Sequence, residues 1–485
     1  MKTISMVALL LISFALPTAS LKQDPQRNVL AISDVTVIDA TGAPARPNMT
    51  VIVTGDRITN IGNTAEVVIP ENAHVIEGKG KFLIPGLWDM HVHAVIKSLP
   101  ETYFPMFIAN GVTGVRDMAA DLELLKQLRK DIGGGRLLGP RLVGGQMVDG
   151  PIPFWPQIAI PISDEASARQ TVASAKDRGA DFIKVYSLIP RPAYFALADE
   201  AKKRGITFAG HVPLSVSASE ASDAGQKSIE HLEGIFLACS AVEPELRKNI
   251  GEAIKDAKDA EQVKTSLLRV LNETEIRAFE TFSQEKAAAL FTRFAKNGTW
   301  QAPTLVVARA GAFMDDSDFI NDPRLKYVRR NIRDSWKNQD DFRLKNRTAE
   351  RSALYKRVFQ KRLELIGAMH RAGVKMLAAT DAVVWYVFPG FSLHDELELF
   401  VKAGLSPMEA LQTATLNPAT YLGLIDMVGT IEQGKKADLV LLEANPLENI
   451  SNTKRITSVI VDGQLIQKAS LDKLLKDAEV AASKN

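Results

Sequence analysis

The first residues in this sequence that could do chemistry are Asp89-Met90-His91-Val92-His93. Side chains two apart on a strand face the same side, so His91 and His93 point into one interior. Imidazoles side by side at a strand end are suited to hold a metal ion. Two satisfied core histidines are the plainer reading. It is weakened here because the pair follows a Pro85-Gly86 turn where the local pattern changes. Asp89 shares the face of the two histidines and is expected to orient a ligand from behind. Further candidates close later strand-like runs: His211 ends ITFAGH, His231 ends SIEH and Asp381 ends VKMLAATD. The chain has seven histidines, and four of them fall at such ends. His394, in FSLHDELELF, is read as a residue of a helix's first turn, capped by Ser392, and is not counted among the ligands.

Lys184 lies mid-strand in ADFIKVY, where an unpaired ammonium is costly to bury. One reading pairs it with an inward acid such as Asp117. The other places it beside bound cations, which depress its pKa. The neutral amine then adds carbon dioxide to give a carbamate able to bridge two metals. Four histidines and an aspartate nearby favour the carbamate. Tyr186 shares the inward face two residues on. It is expected either to donate to an oxyanion or substrate carboxylate, or to pack as part of the wall.

These residues need a frame. Strand-like runs at Leu87–His93, Val112–Met118, Arg141–Gly145, Phe182–Tyr186, Thr207–His211, Ser228–His231, Thr299–Leu305 and Val374–Asp381 alternate with helical patterns such as RPAYFALADEAKKRG. Eight such repeats predict a (β/α)8 TIM-like barrel over 86–424, with candidate ligands at the C-terminal strand ends. Short β-branched runs broken by Gly, Asn and Asp occupy 29–85, and a similar pattern returns over 425–468. Together they predict one small β-sandwich domain built from both chain ends, with 469–485 as a tail. The stretch 240–368 is longer than one repeat needs. Within it, Arg324 to Arg362 holds 14 Lys or Arg against four Asp or Glu. That tract is either a solvated helical face or a lid that draws an anionic substrate to the barrel mouth.

Of 485 residues, 46% are hydrophobic and 24% charged, and the net charge is +2. That balance argues against a nucleic-acid partner. Residues 1–20 read as a secretory signal: a basic start, the apolar run Met6 to Leu16, then Pro17-Thr18-Ala19-Ser20. The apolar run is too short to span a bilayer of roughly 30 Å. The mature chain is expected to be exported, periplasmic or secreted, with no stable membrane span. Its lone Cys239 cannot form an internal disulfide.

The segments IPGLWDMHVH, GVTGVRDM, GADFIKVY, AGHVP, IEHLEG, ATDA, LSPMEALQTATLNPA and GTIEQGKKADLVLL resemble, in order, the amidohydrolase superfamily. The resemblance is to the branch holding imidazolonepropionase-like enzymes and the zinc carboxypeptidases and dipeptidases called prolidases. It runs from about Val29 to Leu465 and implies a hydrolase with two divalent metal ions, zinc by the donor set. His91, His93 and Asp381 would hold the more buried ion, and His211 and His231 the more exposed one. Lys184 would bridge them as N6-carboxylysine. A metal-bridged hydroxide would attack an amide, with Asp381 carrying the proton to the leaving amine.

Deaminases of the same superfamily usually carry an acid shortly after the residue matching His211; here Val212-Pro213-Leu214-Ser215 follows. A mononuclear, imidazolonepropionase-like ring-opening hydrolase is the nearer alternative, followed by a lactonase or phosphotriesterase. A catalytically inactive binding protein on this fold is a further one. The expected partner is a small molecule, a dipeptide or N-acyl amino acid with a free carboxylate, and self-association into a homo-oligomer is left open.

Overall fold

A computed structural model describes residues 29–97, 99–256, 267–336 and 347–484. The exported-leader reading of residues 1–20 lies outside these residues. No helix among them is long and apolar enough to cross a membrane.

The first five strands are β1 (Val29–Val37), β2 (Arg46–Thr54), β3 (Arg57–Asn63), β4 (His74–Glu77) and β5 (Phe82–Pro85). The barrel follows: β6 (Leu87–Val92), β7 (Val112–Asp117), β8 (Arg141–Asp149), the two-residue β9 (Ile160–Pro161), β10 (Phe182–Val185), β11 (Thr207–Gly210), β12 (Ser228–Glu230) and β13 (Trp300–Ala302). The chain ends with β14 (Leu439–Leu442), β15 (Ile456–Val461) and β16 (Gln464–Gln467). Both chain ends meet in one sheet of order β16-β15-β14-β5-β1-β2-β3, with β4 on β1. The join is the antiparallel ladder of Val440 on Ile84 and Leu441 on Leu83. Ile32, Val51, Leu83, Leu439 and Ile460 share its core. Barrel plus β domain is the architecture expected from the motifs.

Seven barrel strands pair in parallel from β6 to β13. The eighth segment, expected as Val374–Asp381, closes the ring by isolated bridges instead of a full strand. Gln301 pairs with Met376 on one side and Val92 with Ala382 on the other. Bonds from Met90 N to Ala378 O and from Asp381 N to His91 O secure it. Asp89 contributes to this: its carboxylate accepts from Thr380 N, a backbone donor a ladder could use, and also from the Thr380 hydroxyl.

The barrel interior is layered. Trp88, Trp300 and Leu377 cluster near the N-terminal strand ends. Gly114 is required there, since a Cβ would fall 2.2 Å from the Trp88 ring. Above them Arg116 and Glu230 form a buried ion pair with Ser228 and Tyr421. The candidate ligands lie above that pair. The expected tail 469–485 is mostly a helix, Lys468–Ser483, packed against the helix Pro100–Ala109.

Candidate active site

The strand ends bring the candidate ligands together. The His91 and His231 ring centroids are 4.6 Å apart, His211 and His231 5.0 Å, and His91 and His93 5.4 Å. Asp381 Oδ1 lies 3.3 Å from His91 Nε2 and 3.0 Å from His93 Nε2. Ligand atoms of His91, His231 and Asp381 all fall within 4.8 Å of one another.

Three of the imidazoles are oriented from behind by a bond at Nδ1. His91 meets Glu230 Oε2 at 2.9 Å, His211 meets Ser187 Oγ at 2.9 Å, and His231 meets Thr304 Oγ1 at 2.7 Å. Each Nε2 is then left for a ligand, the arrangement by which metal-binding histidines are held. His91 Nε2 and His93 Nδ1 are buried without a hydrogen-bond partner among the described residues. Buried polar atoms are rarely left so. These orphaned nitrogens, together with the carboxylate between the rings, fit a divalent metal.

The backbone is strained where it presents them: His231, Leu232 and Asp381 sit at φ 60°, 57° and 60°. Such conformations in non-glycine residues gather at functional sites. His231 N bonds Ala302 O, and Arg362 Nη1 caps the His231 carbonyl at 2.9 Å.

Lys184 is buried, and its backbone pairs in the barrel ladder. Its side chain makes no hydrogen bond or ion pair with the described residues, its ammonium lying 5.9 Å from the Tyr186 ring centre. Its pairing with Asp117 is not what the fold makes. The Asp117 carboxylate instead accepts from the backbone N–H groups of Ala94, Val95 and Ala119. Burial pulls the Lys184 ammonium down to about 8, against the opposite pull of Glu230 and Asp381. Burial also holds His231 down to about 3 and His211 well below its ordinary value, so both rings are neutral near pH ~7. Asp381 is pushed up by burial, but the adjoining His91 ring and the contacts from His91 and His93 outweigh this and hold it well below its ordinary value.

The Tyr186 ring lies against His211 with centroids 4.0 Å apart and planes tilted by 33°, and its hydroxyl accepts from Trp155 Nε1 at 2.9 Å. Its own O–H proton meets no acceptor among the described residues, so it remains available to a bound molecule. Asp89 accepts from the backbone N–H groups of Thr380 and His91 and from the Thr380 hydroxyl instead of from an imidazole ring. His394 lies elsewhere, buried between Thr453 Oγ1 and Asn110 O. Ser392 is inside its helix, Phe391–Lys402, and not the cap. Sequence reasoning missed Glu230 and Glu233, although both flank His231 within the motif IEHLEG. Burial, reinforced by Glu275, pushes the Glu233 carboxyl up to about 7.

A profile of the amidohydrolase family matches residues 82–466. This chain is an amidohydrolase family member. Among solved structures, a bottromycin amidohydrolase superposes on this amidohydrolase with a TM-score of 0.71 at 23% identity, covering 94% of this chain and 92% of that one. A Xaa-Pro dipeptidase with methionine in its active site gives 0.64 at 21% identity, covering 91% and 100%. At these identities the likeness is one of fold. An ochratoxinase from Aspergillus niger is 33% identical over 102 residues, so the match spans 20% of this chain and 20% of that relative's length.

Proposed function

We propose that this amidohydrolase cleaves an amide bond in a dipeptide or N-acyl amino acid with a free carboxylate, and that it does so outside the cytoplasm. The observation that carries the reading is the convergence of His91, His231 and Asp381 at the strand ends, with His93, His211 and Lys184 around them. His91, His93, His211, His231 and Asp381 would hold divalent metal, which would polarise a carbonyl and acidify a water. Carboxylated Lys184 would complete a site for two ions.

Asp381 sits between His91 and His93 and would take a proton from the attacking water and return it to the leaving nitrogen. Tyr186 presents an O–H beside His211, where a developing oxyanion would need a donor. The leader-like residues 1–20 support action on the exported side, and zinc suits this donor set.

The test is a screen of zinc- and bicarbonate-loaded protein against dipeptides and N-acyl amino acids for released amino acid. Release that vanishes in Asp381→Asn supports amide hydrolysis; no release from metal-loaded protein overturns it. A second reading, a single-metal ring-opening hydrolase, draws on the fact that three donors already converge without Lys184. One metal per chain that survives Lys184→Ala, with activity retained, would select it.

A further inference from the structure

Beside the ligand cluster lies a cavity of about 710 Å³, within the range of sites that enclose drug-sized molecules. Its wall begins at Val212 and Leu232, the residues that follow His211 and His231. From there it is built by two helices of the long insertion, Leu268–Glu280 and Ala349–Arg371.

The second helix lines the cavity with Arg351, Tyr355, Val358, Phe359 and Arg362. Their spacing of three and four residues places them on one face. The two helices are tied at two polar rungs. Arg362 pairs with Glu275 near the site, and Asn272 Nδ2 donates to Tyr355 Oη further out. Apolar side chains of both helices, Leu268 and Leu271 on one and Val358 and Phe359 on the other, share the lining with the polar Glu273 and Thr274.

The stripe has a direction. Arg362 touches the carbonyl of His231, so that end adjoins the reacting centre. Arg351 lies 11 residues earlier on the same helix, about 16 Å away at 1.5 Å per residue. Arg269 of the wall is exposed, and two further arginines of the wall are engaged. Arg347 serves Asp315 and two carbonyls, and Arg247 serves Glu243 and the Val216 carbonyl. Arg351 donates Nε to Tyr355 Oη and has no acid partner among the described residues. A half-buried guanidinium at the outer end of a cavity with mixed apolar and polar walls is suited to a carboxylate.

We propose that this cavity is the subsite for an extended apolar acyl group whose far end carries a carboxylate bound by Arg351. The proposal rests on the amide-hydrolase reading and names the substrate within it: an amino acid acylated by a long ω-carboxy chain. The carboxylate at Arg351 is distinct from the α-carboxylate of the amino acid, which lies only a few bonds from the scissile nitrogen.

The test compares metal-loaded protein on N-acetyl-, N-decanoyl- and N-(ω-carboxydecanoyl)-phenylalanine. We expect kcat/KM to rise at least tenfold or so from acetyl to decanoyl, as methylenes are buried. It should rise roughly tenfold again with the ω-carboxylate, as a charge-assisted bond forms. Arg351→Gln should abolish the second increment. Because that increment is a ratio of two substrates within one variant, a partly folded preparation leaves it readable. A best rate on the acetyl compound, or an undiminished ω-carboxyl preference in Arg351→Gln, overturns the proposal while leaving amide hydrolysis intact. No release from any of the three, with release from an unacylated dipeptide, also overturns it. No release from any amide at all falls on the parent reading.

Discussion

Glu230 Oε2 accepts from His91 Nδ1 at 2.9 Å, and the same carboxylate receives both its ionic contacts, each 3.0 Å, from Arg116 Nη2. A metal-ligand candidate is thereby tied to an ion pair in the middle of the barrel. Burial alone would raise the Glu230 carboxyl, but Arg116 and the His91 ring hold it well below the ordinary carboxylate range. The Arg116 donors are all placed: Nε on Met90 O, Nη1 on Ser228 and Tyr421, Nη2 on Glu230.

Replacing that charge should be felt twice. Glu230→Gln keeps the shape but leaves Arg116 buried without a counter-ion, and should destabilise the fold by roughly 3–5 kcal/mol in denaturant titration. It should also weaken metal retention against a chelator by about 10–100-fold, since His91 loses its charged acceptor. Wild-type values for both would show that the pair is ornamental to the site.

Lys184→Ala tests the bridge. If the carbamate forms, metal analysis should find two ions per wild-type chain and fewer in the variant. Wild-type protein in labelled bicarbonate should also show a carbamate carbon resonance that the variant lacks. Equal metal content in the two proteins would remove Lys184 from the ligand set.

Gly210 sets the space in which Lys184 lies. Its φ is 140°, and a Cβ there would meet Val185 O at 2.1 Å and Lys184 Cδ at 2.9 Å. Gly210→Ala should therefore displace the lysine and the start of the His211 loop. The expected cost is about 1–3 kcal/mol in stability, with activity falling by a larger factor than the folded fraction. A variant as active and stable as wild type would mean the strand yields freely.

His394 should make stability fall with acid. Burial between Thr453 and Asn110 lowers its pKa to about 4, whereas the unfolded chain takes up the proton near pH ~6.5. The unfolded state thus binds more protons between these values. The contribution is present above about 6.5 and drains away as pH falls toward 4, on the order of 3 kcal/mol in all. The gap in unfolding free energy between wild type and His394→Gln, measured near neutrality and near pH ~4.5, should shrink by that order. A constant gap would assign the acid sensitivity to other groups.

The ligand candidates were legible because strand geometry is local. Period-two alternation puts His91 and His93 on one face whatever the rest of the chain does. A histidine or aspartate closing an apolar run marks a strand end, as at His211, His231 and Asp381. The motif order carried the family and, with it, the barrel and the two-ended β domain. Other features depended on contacts between residues far apart in sequence, which no local pattern encodes. Arg116 and Glu230 are 114 positions apart, and Thr304 lies 73 positions from the His231 that it orients. The Lys184–Asp117 alternative failed for the same reason, since only the folded loop showed that Asp117 was already occupied by backbone N–H groups. The basic tract looked like one charged surface. Among its described residues, the fold pairs Arg324 with Asp395, Lys356 with Asp316 and Arg362 with Glu275, and turns Arg351 toward a cavity. Sequence by itself determined which side chains could act and the family frame that holds them. Tertiary structure decided which of them are already partnered and which are free to meet a substrate, because pairing is a matter of distance in space and not of order along the chain.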